Sequence, residues 1–112
     1  MPPSPPPNTA IGELADVVGL EDARDLVRTF LKEYSGLIRG MTAEDPKLQH
    51  RAVHSLKSSC RHMGLDSMVR RLQALEARML LPEGKVTLDD IAVLNSEYER
   101  VVAPLRQFAA GR

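Results

Sequence analysis

Asp45-Pro46-Lys47-Leu48-Gln49-His50-Arg51-Ala52-Val53-His54-Ser55-Leu56-Lys57-Ser58-Ser59-Cys60-Arg61-His62-Met63-Gly64 reads as one complete helix with both ends marked. Asp45 is an acid placed to cap, and Pro46 follows at the first helical position, where a missing N–H costs little. Gly64 is placed to take the left-handed conformation that stops the helix after about Met63. At about 100° per residue, Leu48, Ala52, Leu56, Ser59 and Met63 share one face, which is expected to point inward although Ser59 makes it imperfect. His54, two residues before Leu56, projects about 200° away from it, toward solvent.

The segments on either side carry the same period. Ile11, Leu14, Val17 and Val18 suit a short first helix with Asn8 or Thr9 as its N-cap, and Gly19 interrupts it. Leu20, Ala23, Leu26, Val27, Phe30, Leu31, Tyr34, Leu37, Ile38 and Met41 then form a long amphipathic stripe, opened by the dipole-compatible acids Glu21 and Asp22. After Gly64, a helix from about Asp66 to Leu80 places Met68, Leu72, Leu75 and Met79 inward. Pro82-Glu83-Gly84-Lys85 reads as a turn. Thr87 and Asp90 resemble a capping pair for a last helix whose buried stripe is Leu88, Ile91, Leu94, Tyr98, Val101, Leu105 and Phe108. Pro104 lies within that stripe and is expected to bend its final turns. No segment alternates as a strand would. The expected fold is all-α: an up-down antiparallel four-helix bundle with a short extra N-terminal helix. Residues 1–8, rich in proline, are expected to be a disordered tail, and residues 9–112 the bundle domain.

Bulk properties narrow the function. A chain of 112 residues supports one core but leaves little room for an elaborate nucleotide site. Fifteen basic and fifteen acidic side chains cancel, which removes any global electrostatic case for nucleic acid or an anionic membrane. The single cysteine, Cys60, excludes an internal disulfide and a multi-cysteine metal site. No apolar run approaches the roughly 20 residues that cross a membrane. The N-terminus shows no basic segment followed by an apolar one, so the cytoplasm is the expected compartment.

The outer face of the 46–63 helix is unusual for a chain without net charge. His50, His54, Lys57, Ser58 and Arg61 lie near one another on it, with no acidic residue from the same helix. That stripe suits an anion. Accepting a phosphoryl group needs a nucleophile active near neutral pH, and an imidazole is one. It needs exposure, so that another protein can reach the ring in line. It also gains from a nearby cation, and Lys57 lies one turn from His54, roughly 5–6 Å away between Cβ atoms. Ser58, four residues on, is small enough for a visiting protein to close over. His50 and His54 are four apart, a metal-compatible spacing, but no third ligand is evident.

Val53-His54-Ser55-Leu56-Lys57-Ser58-Ser59, with Gly64 ten residues after the histidine, resembles the signature of the histidine-containing phosphotransfer (HPt) domain, roughly Ala-His-x-Leu-Lys-Gly-Ser-(x)4-Gly. Leu72 to Glu76 resembles the Leu-x-x-Leu-Glu run of the family's next helix. Ser58 stands where glycine is usual, and Val53 where alanine is common. The resemblance implies that His54 is the phosphoacceptor, that Lys57 steadies the phosphoryl group, and that His50, Ser58 and Arg61 belong to the docking face. It implies receiver domains of response regulators or hybrid histidine kinases as partners, with the acceptor aspartate and Mg²⁺ on the partner. The domain itself would hold no cofactor or metal, use no ATP, and act as a monomeric phosphocarrier rather than an enzyme. The sequence has no glycine-rich phosphate loop and no clustered carboxylates. Two other readings compete. One is the phosphoacceptor and dimerisation region of a histidine kinase, against which stand Ser55 in place of an acid after the histidine and four long helices rather than two. The other is a helical protein–protein interaction module without phosphate chemistry.

Overall fold

The computed structural model describes residues 4–111. The first three residues of the expected tail lie outside the described residues, and residues 4–8 are non-helical. Six helices follow among the described residues: α1 (Thr9–Val18), α2 (Leu20–Gly40), α3 (Pro46–His62), α4 (Asp66–Met79), α5 (Leu88–Val101) and α6 (Ala103–Ala109). No strand occurs among them. α3 packs against α4 and α2, α2 against α1 and α6, and α4 against α5.

Local chemistry sets the ends of these helices. The Asn8 side chain accepts from the Ile11 N–H at 2.9 Å and starts α1. The Asp45 carboxylate accepts from the Lys47 N–H at 2.9 Å and starts α3. Thr87 and Asp90 exchange side-chain and backbone hydrogen bonds in a reciprocal capping box that starts α5. Gly64 ends the α3 turn at φ +72°, and the Leu65 N–H reaches back to the Cys60 carbonyl at 2.9 Å. The last predicted helix is two: α5 stops at Val101, and Pro104, which has no N–H for the preceding turn, sits at the start of α6.

A single core of buried side chains runs through the bundle, including Ile11, Val27, Phe30, Leu56, Met68, Leu72, Leu94, Leu105 and Phe108. Tyr34 stacks on Tyr98 with ring centroids 3.6 Å apart and donates its hydroxyl to Asn95 Oδ1, joining α2 to α5. Arg24 is buried because its guanidinium lies 5.2 Å from the Phe108 ring centroid while Nη1 pairs with Glu21 at 2.5 Å. Met63 and Met68 are core residues, and Met79 packs partly buried against the core cluster.

Several expected inward residues face out instead. On α3 the buried set is Gln49, Ala52, Val53, Leu56 and Cys60, followed by Met63. Leu48 is 47% exposed, and Ser59 is half-buried. The swap of Leu48 for Gln49 has a polar cause: Gln49 Nε2 donates to the Ala43 carbonyl at 2.6 Å and ties down the connection from α2. Leu20, Leu26, Val17 and Val18 lie exposed at the margins of α1 and α2, and Leu88, the first residue of α5, is 81% exposed. These positions satisfy a helical period but sit beyond the arc or length that a neighbouring helix covers.

Candidate functional site

α3 presents His54 near its middle, one residue past the buried Val53 and two before the buried Leu56. Those two anchors fix the helix rotation, so the imidazole side chain stands 63% exposed. Its Nδ1 lies 3.5 Å from Oε1 of Glu76, which α4 carries across the α3–α4 contact. The same Oε1 lies 3.0 Å from Lys57 Nζ. One carboxylate oxygen thus faces both the ring and the ammonium.

The surface stripe is not purely cationic, contrary to what the α3 sequence alone leads one to expect. Lys57 is 14% exposed and Glu76 18%, so the ammonium is folded down onto a partner from the next helix instead of standing free in solvent. The correction concerns charge and position, since Lys57 still lies beside the His54 ring. Burial acts to raise the Glu76 carboxyl, but the Lys57 ammonium 3.0 Å away outweighs it, helped by His54 and His50; the net position is below the ordinary carboxylate range. Glu76 is accordingly ionised at neutral pH and acts as acceptor only.

His50 is exposed one turn before His54, and Arg61 is exposed toward the C-terminal end of α3. Ser58 is half-buried, so its hydroxymethyl group adds little height beside the ring. His62 is exposed in the last turn of α3. Cys60 is fully buried, and burial pushes its thiol up to about 12, which makes it an inert packing group. Gly64 holds the far end of α3 against α1: Asn8 Nδ2 donates to the Met63 carbonyl at 2.8 Å, and a Cβ at Gly64 would fall 2.6 Å from the Asn8 amide.

Glu76 is the residue that the helix-by-helix reading missed. The α3 pattern alone carries no acid, and an ion pair between helices leaves no periodic trace in one segment. The available signal was the Leu72-Gln73-Ala74-Leu75-Glu76 run, in which Leu72 and Leu75 are buried and so turn the next residue toward α3.

The bundle displays His54 near the middle of α3 with Lys57 one turn away. The family model of the Hpt domain matches residues 20–104, most of the chain, and the chain belongs to the Hpt domain family. Membership implies histidine phosphotransfer in phosphorelays, with receiver domains as the interacting class. No curated protein and no solved structure matches the chain. No helix among the described residues is long and apolar enough to cross a membrane.

Proposed function

We propose that His54 accepts a phosphoryl group from the aspartyl phosphate of one receiver domain and passes it to another. The observation that carries this reading is the exposed His54 ring whose Nδ1 is turned toward Glu76. A proton on Nδ1 faces the carboxylate, which leaves the Nε2 lone pair outward as the nucleophile. Nε2 attacks phosphorus, the N–P bond forms, and the P–O bond to the donor carboxylate breaks with its electron pair staying on the aspartate. The Nδ1 proton is retained, so the ring gains positive charge, and Glu76 lies where it offsets that charge. Lys57 swings from Glu76 toward the phosphoryl oxygens, a short movement for a four-carbon stem.

His50, Ser58 and Arg61 line the face that the receiver covers. The donor aspartate and Mg²⁺ belong to the receiver, and the chain works as a cytoplasmic phosphocarrier that does not use ATP. The monomer is the working form, because a receiver needs the α3 face uncovered. Short connections between successive long helices support an up-down antiparallel order for the bundle.

Incubation with a phosphorylated receiver tests the reading. Label should appear on the chain, survive base, be lost in acid, and vanish in His54→Ala. Label retained in His54→Ala, or no label on the wild type across a panel of receivers, would remove the proposal.

A further inference from the structure

α3 holds four full cations, Lys47, Arg51, Lys57 and Arg61, and no carboxylate. Elsewhere among the described residues six arginines are matched, Arg24 with Glu21, Arg28 with Asp25, Arg71 and Arg100 with Glu97, Arg78 with Asp90 and Arg106 with Glu99, while Arg39 and Arg70 stand singly. Among the described residues, Lys47 and Arg51 take part in no ion pair. Both line an open groove of about 660 Å³ between the first half of α3 and the end of α4. Its other walls include His50, His54, Met79 and Pro46, and it has no acidic lining residue. The groove therefore joins an unmatched positive rim to an apolar surface, and it opens directly onto the phosphoacceptor ring.

We propose that this groove takes an acidic surface segment of the phosphodonor protein, with one apolar side chain lying against Met79 and Pro46. The inference rests on the phosphotransfer reading above and adds a determinant of partner choice to it. A protein whose active site reaches His54 must cover the groove mouth, because His54 is one of its walls. Covering Lys47 and Arg51 without carboxylates would strand two cations at an interface, which disfavours partners that lack an acidic segment there. Charge of this kind acts chiefly on the association rate and fades with salt. Lys47 and Arg51 are thus specificity residues rather than part of the transfer chemistry.

The test measures receiver-to-chain phosphotransfer rates at low and high salt for the wild type, Lys47→Glu/Arg51→Glu, Arg51→Gln, and Lys32→Glu. Lys32 is exposed on α2 outside the groove and serves as the control. The double reversal should slow transfer at least tenfold at low salt and remove most of the salt dependence, with helix content and Tm preserved. Arg51→Gln, which keeps a long polar side chain and so guards against misfolding of the double variant, should slow transfer about threefold. Lys32→Glu should stay within twofold of the wild type. Transfer to the wild type together with a folded double reversal within twofold of it would overturn the groove and leave His54 chemistry standing. Failure of every receiver to label the wild type would overturn both.

Discussion

Replacing Lys57 with alanine does more than remove a phosphate-steadying charge. The ammonium is 3.0 Å from Glu76 Oε1, and both side chains are more than four-fifths covered. That oxygen is itself shielded from water. Exposed ion pairs contribute about 0–1 kcal/mol, and losing one partner of a fully buried pair costs about 3–5 kcal/mol. A pair buried to this degree falls between, so Lys57→Ala should cost about 2 kcal/mol, or about 10 °C in Tm for a domain of this size. Glu76→Gln leaves an amide that needs no counter-ion, and Lys57 can extend to water; about 1 kcal/mol is expected. In the Glu76→Gln background Lys57→Ala should cost under about 1 kcal/mol, a coupling of about 1 kcal/mol. Urea unfolding followed by helical circular dichroism on the four proteins completes the cycle. A Lys57→Ala loss below about 0.5 kcal/mol, or strict additivity with Glu76→Gln, would refute the shared-carboxylate geometry. Transfer rates for Lys57→Ala should be read only at temperatures well below its own unfolding.

Because Glu76 titrates below its ordinary range when folded, its contribution is present above the ordinary carboxylate value and lost as pH falls through the folded one. Acid unfolding should therefore be steeper in the wild type than in Glu76→Gln below about pH 4.5, and matching slopes would count against that linkage. Gly64→Ala should cost about 2–4 kcal/mol from left-handed strain plus displacement of the Asn8 cap. In an Asn8→Ala background that cost should drop to about 1–2 kcal/mol, and an unchanged cost would deny the contact. Glu83, at φ +64°, is the one non-glycine residue among the described residues held in the left-handed region. Glu83→Gly should raise stability by about 0.5–1 kcal/mol, measured by the same urea series.

Much of the architecture was legible because it rests on local chemistry. Asp45 before Pro46, Thr87 three residues before Asp90, Asn8 ahead of α1 and Gly64 after α3 each act through their own neighbouring backbone, and each holds in the structure as read. Periodicity was a weaker guide where polarity and position compete. Leu48 outranks Gln49 on hydrophobicity, yet the amide of Gln49 reaches the Ala43 carbonyl at 2.6 Å and is held inward by it. Leu88 matched the stripe of α5 but begins the helix, where no neighbour covers it. The outward turn of His54 followed from its angle to Leu56. The burial of Lys57 did not, since Glu76 arrives from another helix and its pairing is a property of the packed bundle.

Nitrogen-15 NMR of the histidine side chains, recorded before and after phosphorylation by a receiver, examines the central assignment most directly. Phosphorus coupling is expected on Nε2 of His54, with its Nδ1 still protonated and His50 and His62 unmodified. Phosphorus on either of those two rings, on Nδ1 of His54, or on no histidine at all would contradict that assignment.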